Sequence, residues 1–117
     1  MYLTFCKAKI GNAHVTQSEL YYEGSITIDA AILKAVGILP GEKVEILNIN
    51  NGSRIETYTI AGKPNSGQVR LNGPAARSGC VGDKLIILSY CLVDQNEAKK
   101  FKTKVVHLDD RNKIKKL

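Results

Sequence analysis

"AAILKAVGILPGEKVEIL", residues 30–47, is echoed by "AARSGCVGDKLIIL", residues 75–88. Each copy runs from small helix-forming residues into glycine, an acid, lysine, an aliphatic, a variable residue, isoleucine and leucine. Gly41-Glu42-Lys43-Val44 thus matches Gly82-Asp83-Lys84-Leu85. Two copies of strand–helix–turn–strand in one small chain predict a pseudo-twofold β-barrel; a chance likeness between two β-turns is the alternative.

Around the repeat, strand signals dominate. "KVEILNI" (43–49), "RIETYTIAG" (54–62), "QVRLN" (68–72) and "DKLIILSYCLV" (83–93) are rich in β-branched or aromatic residues and alternate in part. "TKVVHLD" (103–109) predicts a last strand. "NNGS" (50–53) predicts a hairpin, because Asn and Gly tolerate the positive φ of tight turns. Helical signals are few. "DAAILKAVG" (29–37) opens on a capping-type Asp29 and closes on Gly37, with Ile32, Leu33 and Val36 on one face. "PAARSG" (74–79) predicts one short helical turn with Pro74 at its start.

The 117 residues fit one domain, and the lack of Trp with only two Phe leaves Ile, Leu and Val to fill the core. Cys6, Cys80 and Cys91 are odd in number, irregularly spaced and without a CxxC. A disulfide framework and zinc ligation are therefore not expected; buried free thiols in a reducing cytoplasm are. No apolar run approaches membrane-spanning length, and "MYLTFCKAKIG" lacks the apolar core of a signal peptide.

The net charge of +6 raises nucleic acid as a partner, and its location argues against that. Residues 1–98 hold nine basic and nine acidic side chains, and the last 19 residues hold eight basic and two acidic ones. The excess thus belongs to a basic C-terminal segment, expected to be solvated and to fray from about residue 111. A small basic β protein with a "PGEKVEI" hairpin (40–46) could be a DNA-binding domain, but that requires a basic surface on the folded part.

One stretch fits no packing role. In "YYEGSITID" (21–29), Gly24-Ser25 stands at the mouth of a strand. Ser25 Oγ lies one side chain from the Gly24 carbonyl carbon. Suitably held, the hydroxyl can attack it through a five-membered ring and turn the amide into an ester. That exchange is uphill, so the fold must strain the peptide or stabilise the oxyanion. Glycine suits the site because no Cβ crowds its carbonyl.

Lys9, "VT" (15–16), "L.YEGS..ID" (20–29), "VEI.N..NG.R..TY.I" (44–60), "NG.AAR" (72–77) and "VGD" before an aliphatic strand occur in order and at matching spacing. Over about residues 3–110 the chain resembles the pyruvoyl-dependent aspartate 1-decarboxylases, which make β-alanine for pantothenate and coenzyme A synthesis. The resemblance implies a mainly β fold, a six-stranded double-psi β-barrel with short helices, packed as a homotetramer. It implies self-cleavage into a β chain, 1–24, and an α chain, 25–117, the latter capped by a covalent pyruvoyl group made from Ser25. The pyruvoyl ketone would form a Schiff base with L-aspartate and act as the electron sink for loss of CO2. Whether scission is spontaneous or needs a maturation factor stays open.

Roles follow by position. Tyr58 matches the proton donor to Cα, and Thr57 a hydroxyl that assists cleavage and contacts substrate. Lys9 and Arg54 match the cations that hold the substrate carboxylates. Asn72, Gly73, Pro74 and Ala75 match the substrate-binding loop beside the pyruvoyl group, and Tyr22 a residue lining the site. No metal is implied. The chain also departs from the commonest pattern. Some members carry basic residues where this chain has Gly11 and Asn12, and Pro74 removes a main-chain N–H. A decarboxylase-like barrel without activity is a third reading, disfavoured by the retention of Gly24, Ser25, Thr57 and Tyr58.

Overall fold

A computed structural model describes residues 1–115. The chain forms β1 (Tyr2–His14), β2 (Gln17–Glu19), β3 (Ser25–Asp29), α1 (Ala30–Val36), β4 (Lys43–Asn48), β5 (Arg54–Gly62), β6 (Val69–Asn72), a 3₁₀ segment (Gly73–Ser78), β7 (Lys84–Asp94), a 3₁₀ turn (Ala98–Lys100) and β8 (Lys104–His107). The strands make one sheet in the order β2-β6-β3-β5-β4-β7-β1-β8. The fold is mainly β, as expected.

Only Val15 and Thr16 separate β1 from β2, and they cross from one end of the ladder to the other. Val15 N–H donates to Asp83 O (2.9 Å) beside β7, and Thr16 N–H donates to Val69 O (2.8 Å) in β6. One run of chain therefore serves both ends, and the sheet curls into a barrel-like body. Taken as one bent strand, β1 and β2 join β3 to β7 as six members, with β8 laid parallel beside β1.

The two glycine turns of the repeat carry matching bonds. Gly41 (φ 86°) and Gly82 (φ 92°) both take the left-handed region that glycine permits. Glu42 N–H donates to Leu39 O and Asp83 N–H to Cys80 O, each closing a turn. Each acid also accepts the N–H three residues back: Glu42 Oε1 from Leu39 (3.0 Å) and Asp83 Oδ2 from Cys80 (2.9 Å). Gly41 and Glu42 exchange main-chain bonds with Thr59, as Gly82 and Asp83 do with Val15.

The core is aliphatic, as the composition requires: Ile10, Ile26, Ile28, Ile32, Val44, Ile46, Val69, Leu71, Leu85, Ile87 and Leu108 are essentially inaccessible. Full burial of one such side chain stabilises by about 1.5–3 kcal/mol. Helix α1 buries Ile32, Leu33 and Val36, is capped by Asp29, and ends at Gly37 (φ 77°), whose N–H bonds Leu33 O. The hairpin turns at Gly52 (φ 75°), with Asn48 N–H on Ser53 O. Among the described residues, no helix is long and apolar enough to cross a membrane.

One strand was not foreseen, and two expectations need correction. The 13-residue β1 carries no clear sequence signal, because it is irregular between Cys6 and Ala8 and between Ile10 and Ala13, and Asn12 sits at φ 61°. The C-terminal segment does not simply fray from residue 111. Asn112 is buried, donates to His14 O (2.9 Å) and Gly67 O (2.8 Å), and accepts from His14 N–H (2.8 Å), so its amide satisfies three main-chain groups. Lys116 and Leu117, the end of that segment, lie outside the described residues. The thiols are free but not buried: Cys80 is exposed, and Cys6 and Cys91 are half-buried.

Candidate active site

Between Gly24 and Ser25 the chain passes from solvent to interior. Gly24 is exposed, whereas Ser25, the first residue of β3, is wholly inaccessible. The antiparallel β3–β6 register sets Ser25 opposite Asn72. Asn72, itself fully buried, donates from Nδ2 to Ser25 Oγ (2.9 Å) and to Thr27 Oγ1 (2.9 Å). The Ser25 hydroxyl faces the Glu23 carbonyl oxygen at 3.5 Å. The Ser25 hydroxyl is thus held by the Asn72 amide on one side, with the Glu23 carbonyl oxygen on the other.

The repeat explains why Asn72 is available. Asp29 and Asn72 each stand at the N-cap of the helical segment in their copy. Asp29 Oδ1 caps α1 through Ala31 N–H (2.8 Å). The equivalent second position after Asn72 is Pro74, which has no N–H, and Asn72 makes no capping bond. Its Oδ1 is buried without a hydrogen-bond partner among the described residues, while its Nδ2 reaches β3.

Gly73 sets the distance between the loop and the Gly24 segment. It adopts φ 64°, and a Cβ there would fall 2.3 Å from Tyr22 O, 2.9 Å from Gly24 N and 3.0 Å from Glu23 C. Only glycine allows the 3₁₀ segment to press against residues 22–24. A cleft of about 310 Å³ opens beside them, lined by Gly24, Thr57, Pro74 and Ala75 with Ile55, Glu56 and Ser78. The parallel β3–β5 register, with Ile26 opposite Thr59, carries Thr57 alongside Gly24.

Within one chain, then, Gly24, Ser25, Thr57, Asn72, Gly73, Pro74 and Ala75 come together. Lys9, Arg54 and Tyr58 stand elsewhere, on the outer face of β5-β4-β7-β1. A rung of this face runs Lys9, Leu88, Glu45, Glu56, and the flanking rungs hold Arg54 beside Leu47 and Tyr58 beside Lys43. Arg54 Nη1 is paired with Glu45 Oε1, which also accepts the Tyr90 hydroxyl (2.8 Å). Burial, then the hydrogen bond to Glu45, pushes the Tyr90 phenol above its usual range. Tyr22 lies outside the cleft, its ring 4.9 Å from the Arg70 guanidinium carbon. His14, at the far end of β1, faces Asp110 at 3.7 Å.

A family model described as aspartate decarboxylase matches residues 1–115. The chain belongs to the aspartate decarboxylase family. The aspartate 1-decarboxylase of Carboxydothermus hydrogenoformans is 55% identical over 117 residues, covering 100% of this chain and 92% of the relative. That of Clostridium beijerinckii is 53% identical over 117 residues, covering 100% and 94%. That of Listeria monocytogenes is 54% identical over 114 residues, covering 97% and 90%.

Two residues of this aspartate decarboxylase family member escaped the sequence reading. Thr27 shares the Asn72 amide with Ser25, and its signal was the two-residue strand spacing that puts both hydroxyls on one face. Glu45 holds Arg54, and only the hairpin register, with Leu47 opposite Arg54, brings it near.

Proposed function

We propose that this protein decarboxylates L-aspartate to β-alanine and CO2, feeding pantothenate and coenzyme A synthesis, after cleaving itself between Gly24 and Ser25. The observation that carries this reading is the exposed, unbranched Gly24 joined to a fully buried Ser25 whose Oγ is held 2.9 Å from Asn72 Nδ2. Oγ attacks the Gly24 carbonyl carbon, the C–N bond breaks, and the hydroxyl proton passes to the Ser25 nitrogen. Loss of the Ser25 α-proton expels the Gly24 carboxylate. Water then replaces the nitrogen, releasing ammonia and leaving a pyruvoyl group at residue 25.

The residues fit that group. Asn72 Nδ2 already offers its hydrogens where the serine hydroxyl stands, and the seat under Gly73 admits no Cβ. Asn72, Gly73 and Ala75 would border it, and the group would supply an electron sink for the departing carboxylate. Thr57, beside Gly24, assists cleavage and contacts substrate. Arg54 offers a guanidinium fork and Lys9 an ammonium to the two substrate carboxylates. The substrate must displace Glu45 to use Arg54. Tyr58 delivers the proton to Cα as general acid. Pro74 contributes shape but no donor, and Tyr22 packs at the edge of the site.

A homotetramer would reconcile the outer-face residues with the cleft. The face carrying Arg54 and Tyr58 also exposes Ile49, Tyr90 and Leu92, an apolar surface suited to a second copy. A cytoplasmic location suits three unpaired thiols.

Intact mass tests the reading. Purified protein should give fragments 1–24 and 25–117, the larger lighter by one ammonia and blocked at its N-terminus. A wild-type chain that matures only after addition of cell extract would identify an accessory factor. Ser25→Ala should stay a single chain and form no β-alanine. β-Alanine formation by Ser25→Ala would overturn the mechanism.

A further inference from the structure

We infer that His107, seated on β1 by Gly11, supplies a second donor beside Lys9 for a substrate carboxylate; the inference rests on the function just proposed. The parallel β1–β8 ladder sets Lys9 opposite Val105 and Gly11 opposite His107. A Cβ built on Gly11 would lie 2.6 Å from His107 Nδ1 and 3.0 Å from Cε1. The ring therefore fills the space that a side chain at residue 11 would take. Gly11 is not among the glycines with positive φ, so backbone conformation does not demand glycine here; the imidazole does.

Ala8 and Ile10 point into the core, which leaves Lys9 and Gly11 on the opposite face. Successive residues on one face of a strand are about 7 Å apart. The ring thus stands one rung from the Lys9 stem, on the face that carries Arg54 and Tyr58. It is exposed and has no hydrogen-bond partner among the described residues. Nearby charges are Lys9 on β1, Asp109 two residues on, and Lys115, whose N–H bonds the His107 carbonyl. A tethered imidazole with a free nitrogen beside an ammonium is a site for a carboxylate oxygen.

The test compares L-aspartate kinetics of the processed wild type with His107→Val, Gly11→Ala and the exchange Gly11→His/His107→Val, each checked for complete scission by intact mass. His107→Val should raise KM about tenfold, the scale of one charge-assisted hydrogen bond, with kcat within about twofold. Gly11→Ala, which evicts the ring, should shift KM in the same direction. The exchange returns an imidazole to the same space from the neighbouring strand and should bring KM back to within about threefold of wild type. An unchanged KM in His107→Val, or an exchange no better than His107→Val, overturns the inference while leaving the decarboxylase reading intact. A wild type that forms no β-alanine overturns both.

Discussion

Replacing Gly73 by alanine tests whether the 3₁₀ segment holds residues 22–24 in a geometry fit for scission. Two costs arise. The first is conformational: Gly73 sits at φ 64°, and an L side chain there costs about 1–2 kcal/mol. The second is a collision: the new Cβ would stand 2.3 Å from Tyr22 O, where ordinary contact begins at 3.4 Å, so that carbonyl must retreat by about 1 Å. The retreat pulls on Glu23 and Gly24, which lie 3.0 Å and 2.9 Å from the same Cβ. Misplacing a reacting group by about 1 Å can cost about a hundredfold in rate. Gly82 separates the two costs, since it has φ 92° but nothing within 4 Å of its Cβ. Gly82→Ala should lose stability yet process normally, whereas Gly73→Ala should lose stability and also extend the life of the full-length chain about a hundredfold. The assay is intact mass against time after synthesis, with a thermal melt to show that each variant is folded. A folded Gly73→Ala chain that cleaves as fast as Gly82→Ala would refute the argument.

Asp29→Ala removes the acceptor for Ala31 N–H, Asn65 N–H (2.9 Å) and Gly67 N–H (2.9 Å), so α1 and the 63–67 loop should loosen together. The expected loss is about 2–4 kcal/mol in urea denaturation, and a loss below about 1 kcal/mol would mean that water replaces the carboxylate. Asp83 accepts from Asn48 Nδ2 and Cys80 N–H, which hold its carboxyl below the usual range despite slight desolvation. A depressed folded value stabilises above the unfolded value of about 3.9 and is lost as pH falls through the folded one. Asp83→Asn should therefore lower Tm at neutral pH, and the gap should begin to narrow below about pH 4 and close once pH falls past the depressed folded value. A gap unchanged in acid would show that shape, not charge, matters there.

The features legible in sequence were those fixed by short-range contacts. Asp29 and Gly37 bracket α1 because a carboxylate caps N–H groups two residues on and glycine accepts the left-handed turn. The Asn-Gly hairpin and the strands around it follow from the same local rules. The first strand was not legible, because its pairing with β7 slips twice and hides the alternation. Nor was the seat of Asn112, whose three partners lie 45 and 98 residues away. The site divides in the same way. Gly24, Ser25 and Thr57 are joined by strand register, and Asn72 to Ala75 follow from the end of β6. Alternation alone separates Tyr58 from its neighbour Thr57 across β5, but that Lys9, Arg54 and Tyr58 share one face follows only from the β1–β7–β4–β5 register, which no local pattern reveals.

The repeat also bears on why the two similar halves differ at their N-cap seats. Two similar halves create two N-cap seats at the ends of two core strands, β3 and β6. At Asp29 the carboxylate is consumed by three main-chain donors and does nothing but hold structure. At Asn72 the second helical position is Pro74, so no cap forms, and an amide replaces the carboxylate. That exchange changes the sign of what the seat offers. An Asp at residue 72 would present only acceptors to the two hydroxyls, whereas the Asn72 amide presents two hydrogens, one to Ser25 and one to Thr27. Proline and asparagine at one copy, against alanine and aspartate at the other, therefore leave one of two equivalent cap seats free to hold side-chain hydroxyls, with Gly73 bringing the loop close enough to residues 22–24.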